Sequence, residues 1–205
     1  MSAILHVDRL GRRFGERDVV RSLDLQLEPG ERIALQGANG AGKSTVLRCI
    51  AGTLGPTAGS VIVGGHTAGS LAARRLTGVS FSQERSFYLR LSGRTNLAFF
   101  AGARGQSRRA AREAVADLVE ELNLTFIDER ADRYSTGMIL QLAFARALLG
   151  GPPLLLLDEP TRSLDGPAVA RLWTAIDRRP DTAIVIATHR EDDVDHCDSA
   201  IHLPR

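Results

Sequence analysis

The residues Gly37-Ala38-Asn39-Gly40-Ala41-Gly42-Lys43-Ser44 carry the most chemistry in this chain. They match the pattern G-x-x-x-x-G-K-[ST] and lie between an apolar run, Ile33-Ala34-Leu35, and a helix-like segment, Thr45 to Ile50. Strand, glycine loop and helix in that order separate a phosphate loop from a chance match. Glycines let the backbone wrap a polyphosphate closely, so several amide N–H groups point at its oxygens. The following helix adds the positive end of its dipole. Lys43 would then reach the β- and γ-phosphates of a nucleoside triphosphate, and the Ser44 hydroxyl would ligate Mg²⁺. The expected nucleotide-binding set here is Gly37, Asn39, Gly40, Ala41, Gly42, Lys43, Ser44 and Thr45.

A second constellation follows much later. Leu154-Leu155-Leu156-Leu157 is an apolar run of strand length ending in two carboxylates, Asp158 and Glu159. In a parallel sheet the carboxyl end of a strand faces the ligand crevice, which would bring both acids beside the phosphate loop. Asp158 is the expected metal-holding residue, and Glu159 would orient and deprotonate an attacking water.

These residues need a frame, and the pattern of the chain supplies one. The opening, from Ile4 to Pro29-Gly30, reads as strands with tight turns; Leu23, Leu25 and Leu27 alternate as on a half-buried strand. Ser60 to Val63 is a further short strand, and Ala183 to Ala187 an uninterrupted apolar run suited to a strand buried on both faces. Apolar spacing predicts helices over Ser107–Leu122, Gly137–Leu149 and Pro167–Ile176. Strands alternating with helices indicate an α/β domain with a mostly parallel core sheet. The N-terminal strands form an antiparallel β subdomain, and the helical block at about 88–150 is inserted into a single domain spanning 1–205.

With 26 Lys plus Arg against 24 Asp plus Glu, the formal charge is +2, which offers no field for nucleic acid or an anionic membrane. Cys49 and Cys197 share no C-x-x-C spacing and read as reduced thiols. No run approaches the roughly 20 apolar residues of a membrane helix, and the N-terminus lacks the design of a signal peptide. The expectation is a cytoplasmic protein.

The ordered motifs resemble those of the ATP-binding-cassette ATPases, a phosphate-loop NTPase family. Asp158-Glu159-Pro160-Thr161 is similar to the family's second nucleotide motif, and Ser163-Leu164-Asp165 to the short loop after it. Tyr134-Ser135-Thr136-Gly137-Met138 stands where the family carries its signature, usually Leu-Ser-Gly-Gly-Gln. Gln83 matches the glutamine loop and His189 the switch histidine. Three departures stand out: Thr136 replaces a glycine, Met138 replaces a glutamine, and the apolar pair Ile139-Leu140 follows where polar residues are usual.

The resemblance implies ATP and Mg²⁺ as ligands. Ser44, Asp158 and Gln83 would serve the metal, while Glu159, His189 and Gln83 would be catalytic. Ser135, Gly137 and Asp165 would join the nucleotide contacts, and His189 would meet the γ-phosphate. Phe14 lies where an aromatic stacks on adenine in the family, with plain core packing as the alternative. The acidic run Glu191 to Asp198 reads better as a solvated helix than as a metal site.

The family drives transporters or acts without a membrane on ribosomes, chromosomes or DNA repair. A phosphate-loop kinase would need neither Ser135, Gly137 nor His189. The stretch from Lys43 to Ser135 leaves no room for a long coiled coil, which favours the transporter reading. The implied partners are a transmembrane permease on a separate chain and a second cassette, identical or paralogous. The cassettes would close head to tail on ATP, peripheral to the inner face of the cell membrane. A weaker resemblance, carried by Ser135 to Met138 and Asn96 to Ala101, points to an exporter. A soluble ATPase of the same family is the alternative.

Overall fold

A computed structural model describes residues 3–82 and 86–204. In chain order the elements begin β1 (Leu5–Phe14), β2 (Arg17–Leu27), β3 (Arg32–Gln36), α1 (Lys43–Ile50), β4 (Ala58–Val63), β5 (His66–Thr67), α2 (Leu71–Leu76) and β6 (Thr77–Ser80). They continue α3 (Gly93–Ala103), α4 (Arg108–Glu121), α5 (Thr136–Leu148), β7 (Leu154–Asp158), α6 (Gly166–Asp177), β8 (Ala183–Ala187), α7 (Glu191–Val194) and β9 (Ser199–His202). The chain divides into two compact units.

The first unit comprises the residues up to Gly78, Pro153–Glu159, and those from Asp181 on. One of its sheets has the order β2-β1-β4-β5 with antiparallel pairing. The alternating leucines explain it: Leu25 and Leu27 stand opposite Val7 and Leu5, and all four are buried. The other sheet has the order β6-β7-β8-β3-β9, with β7, β8, β3 and β9 parallel. Every residue of β7 and β8 is buried, as expected of apolar runs without alternation. Both cysteines are free, and burial raises both thiols, Cys197 to about 11.

The acidic run after His189 begins as a helix and is mostly exposed, as its composition predicts, with one exception. Helix α7 covers only four residues, and Asp193 within it is 1% exposed. Its carboxylate accepts from Thr188 Oγ1 at 2.7 Å, and Asp198 accepts from the Arg32 amide at 2.8 Å. Both acids are tied to the ends of the parallel strands, although only Asp193 is buried.

The second unit comprises Val79–Pro152 and Pro160–Pro180. It is therefore wider than the helical block at 88–150, because α6 joins it from beyond β7. Arginines of the 166–180 segment make the attachment, Arg178 among them at 3.6 Å from Glu121. Arg171 donates to the Leu122 carbonyl at 3.1 Å, and Arg179 grips both oxygens of Glu121 at 2.9 and 2.7 Å. That grip holds the Glu121 carboxyl below its ordinary range. Helix α4 is capped by Ser107 and buries Ala111, Val115 and Leu118, the predicted stripe.

Two polar side chains, one buried and one half-buried, fasten the loops around α3. Asn96, fully buried, accepts from the Tyr88 amide at 2.8 Å and donates to the Tyr88 and Ser92 carbonyls. The Tyr134 hydroxyl lies 3.0 Å from the Phe126 carbonyl as donor and accepts from the Gly93 amide at 3.1 Å. Tyr134→Phe takes this partner from the Gly93 N–H, which keeps the Glu129 carbonyl at 3.3 Å, and should cost about 0.5–1.5 kcal/mol. Urea unfolding of the two proteins reads that loss directly.

Candidate nucleotide site and signature helix

The phosphate loop leaves β3 at Gln36 and enters α1 at Lys43. Its last glycine, Gly42, precedes the helix with φ +99°, and a Cβ there would stand 2.8 Å from the Val19 carbonyl oxygen. Backbone conformation and close approach both exclude a side chain at that position. Ala41 is buried, its amide donating to the Ala38 carbonyl, while Asn39 and Gly40 are exposed on the open side of the loop. Lys43 is 7% exposed and lies across the loop, its Nζ donating to the Gly37 carbonyl at 2.6 Å and the Ala38 carbonyl at 3.4 Å. Ser44 and Thr45 follow, half-buried.

Strand β7 brings its acids to the same end of the sheet. Ser44 Oγ lies 3.0 and 3.1 Å from the two oxygens of Asp158, which is 5% exposed. A hydroxyl and a carboxylate converging in this way are hard oxygen donors of the kind Mg²⁺ prefers. The residues present therefore fit that ion.

Glu159 comes next, with φ +51° and its amide donating to the Ala187 carbonyl at 2.8 Å. A non-glycine residue in the left-handed region is uncommon, and here it turns the side chain at the strand end. His189 Nδ1 stands 2.7 Å from Glu159 Oε2, within ion-pair distance, although no aligned hydrogen-bond donor reaches that buried oxygen. The imidazole itself is more than half exposed. Lys43, Ser44, Asp158, Glu159 and His189 thus gather at the carboxyl ends of three adjacent parallel strands, β3, β8 and β7.

Phe14, at the end of β1, is 46% exposed, which removes the core-packing reading. The Arg12 guanidinium lies 4.5 Å from its ring centroid. Gln83, expected to serve both metal and catalysis, falls outside the described residues.

The signature belongs to the helical unit. Ser135 is exposed and caps α5, accepting from the Met138 amide at 3.2 Å. Met138, standing where the family usually has a glutamine, completes the capping box: its sulfur accepts from the Ser135 amide at 3.4 Å. A thioether is a weak acceptor, so the substitution keeps the topology of the box and loses strength. Leu140 is buried within the chain, which accounts for half of the unexpected apolar pair. A Cβ on Gly137 would stand 2.6 Å from the Ser163 carbonyl oxygen, so glycine is required there by its own unit. Asp165 caps α6, accepting from the Ala168 amide at 2.8 Å, a structural duty the motif match did not reveal.

A family model described as ABC transporter matches residues 20–162. The chain belongs to that family. It is 34% identical to an uncharacterized ABC transporter ATP-binding protein, YdbJ, of Bacillus subtilis (strain 168), over 98% of this chain and 67% of the relative. It is 36% identical to the sulfate/thiosulfate import ATP-binding protein CysA of Synechococcus elongatus, over 78% of this chain and 47% of the relative. A solved ATP-binding subunit of an ABC transporter superposes with a TM-score of 0.89 at 28% identity, over 98% of this chain and 85% of that one. A dimeric ATP-binding cassette bound to ADP and Pi shares the fold, with a TM-score of 0.84 at 22% identity over 97% and 94% of the chains. The protein is an ABC ATPase with an α/β phosphate-loop NTPase fold, and it binds ATP.

Proposed function

We propose that this cassette is the motor of a transporter whose membrane permease is a separate chain, and that it works as a head-to-tail dimer. The observation that carries the reading is the exposed, Ser135-capped start of α5 on the helical unit. A capped helix N-terminus offers N–H donors and a positive dipole end to a phosphate, and Ser135 and Gly137 would cap the γ-phosphate held by the partner. The polyphosphate would sit in the Gly37–Thr45 loop against Lys43, with adenine on Phe14. Mg²⁺ would be held by Ser44 and Asp158, with Gln83, and would screen the phosphate charge.

Glu159 takes a proton from water as its oxygen bonds to the γ-phosphorus. The bond from that phosphorus to the bridging oxygen breaks, leaving ADP and phosphate. His189, beside Glu159, contacts the γ-phosphate, and Asp165 lies in the loop that reaches the interface. Closure on ATP and reopening after hydrolysis convert these contacts into movement.

A surface for the permease lies on the helical unit. Tyr88, Leu89, Leu91 and Phe99 are each at least 41% exposed, and the rings of Tyr88 and Phe99 meet edge to face at 4.9 Å. Buried Asn96 holds the segment that displays them. An exposed apolar cluster on a charged surface marks an interaction site. The segment from Glu84 to Leu89, which mixes charged and aromatic residues, runs into this cluster, and its first two residues lie outside the described ones. No helix among the described residues is long and apolar enough to cross a membrane, so membrane attachment would come through the partner. The exporter reading rests on the resemblance of Ser135–Met138 and Asn96–Ala101, and an importer's ATP-binding protein stands among the relatives. Purification of the chain from membranes together with a polytopic protein tests the permease. The direction in which vesicles carrying that complex move cargo tests export.

The dimer has its own test. With Mg-ATP, the Glu159→Gln variant should elute as a dimer on size exclusion. Adding Ser135→Asp should return it to monomer. Asp caps a helix as well as Ser does, so α5 is spared while a carboxylate confronts the γ-phosphate. Dimers in both variants would remove Ser135 from the nucleotide interface.

A further inference from the structure

The hairpin of β1 and β2 brings a second cation to the phosphate loop. Phe14 and Arg17 are direct partners in the antiparallel register, closed by the turn Gly15-Glu16. Directly opposed residues of such a pair stand side by side on one face. Arg17 therefore shares a face with the exposed Phe14. Its Nη2 lies 4.0 Å from the position a Cβ on Gly40 would take, in the middle of the phosphate loop, and no other described atom outside the adjoining residues comes as close.

Arg17 is exposed, and its side chain has no hydrogen bond or ion pair among the described residues. Of the two carboxylates beside it in the chain, Glu16 is exposed in the turn with no ion pair to Arg17, and the other is already engaged. Asp18 accepts from Arg13, its partner across the hairpin, at 2.7 and 3.2 Å. The hairpin thus spends one arginine on its own acid and leaves the next one uncompensated beside an open loop backbone. A guanidinium so placed presents donors in a planar fork that matches phosphate oxygens. Lys43 stands at the other end of the loop, on the carbonyls of Gly37 and Ala38, so the two cations serve different stretches of it.

We propose that Arg17 is a second phosphate-binding side chain of this nucleotide site, contacting the polyphosphate over Gly40 while the base stacks on Phe14. The proposal rests on reading Gly37–Ser44 as the ATP site. It makes the hairpin a clamp, holding base and phosphate through two side chains fixed opposite each other by strand pairing.

The test compares ATP, ADP and adenosine, each displacing a fluorescent ADP analogue from the parent, Arg17→Gln and Arg17→Lys. Arg17→Gln should weaken ATP and ADP by roughly three- to tenfold, the range for a charge-assisted contact at an exposed position. The loss should shrink as salt is raised, leave adenosine unchanged, and be partly recovered in Arg17→Lys. An exposed side chain of this kind should leave the melting temperature of the protein alone. Unchanged ATP affinity in Arg17→Gln overturns the proposal, as does an equal loss for adenosine, which would mean that Arg17 acts only through Phe14. Lys43→Ala separates the two levels: if it too binds ATP like the parent, the site itself is misassigned. If it loses ATP while Arg17→Gln does not, only the role of Arg17 falls.

Discussion

Replacing Glu159 by Gln is expected to slow phosphate release by roughly 10²–10⁴-fold while ATP binding persists. The amide has the shape of the carboxylate but cannot accept the proton of the attacking water. The position constrains the result further. Glu159 sits at φ +51°, anchored by its amide on the Ala187 carbonyl, and an isosteric change leaves that backbone alone. Its oxygen Oε2 lies 2.7 Å from His189 Nδ1, so the same substitution also replaces the carboxylate that the imidazole faces. Phosphate release at saturating Mg-ATP, beside a binding isotherm, separates the two effects. A variant that turns over like the parent would move the general base to His189.

Lys43→Ala should weaken Mg-ATP binding by about 10- to 100-fold, as expected for a charge-assisted contact of about 1.5–3 kcal/mol. Lys43 is buried and its ammonium spans the loop, bonded to the Gly37 carbonyl at 2.6 Å. Removing it therefore takes away a tether of the loop as well as a cation. Isothermal titration checks the loss, and an unchanged affinity would sink the assignment of the loop. The melting temperature of the same variant reports the tether.

The readable part of this protein is the part whose chemistry is local. Strand, glycine loop and helix follow one another without a break from Ile33 to Ile50, and β7 is an apolar run that ends on its acids. What stayed hidden depends on contacts between distant segments. Helix α6 has the right periodicity, but nothing in its own residues says that Arg171 and Arg179 will seek Leu122 and Glu121. Asp193 looks solvated in a run of acids until Thr188 is seen to donate to it. Arg17 is an ordinary surface residue by sequence, and only the hairpin register carries it to Gly40. Phe14 is the intermediate case: its place in the motif order was legible, while its exposure had to come from the fold.

The contact between Gly137 and Ser163 has a mechanical meaning. A carbonyl oxygen 2.6 Å from the position of a missing Cβ leaves no slack between the start of α5 and the loop that ends at Asp165. Ser163 is itself held at φ +61°, where few neighbouring conformations are open to it. The backbone of the signature is therefore packed directly against the Ser163–Asp165 loop. A substitution at Gly137 would displace that loop as well as the start of α5.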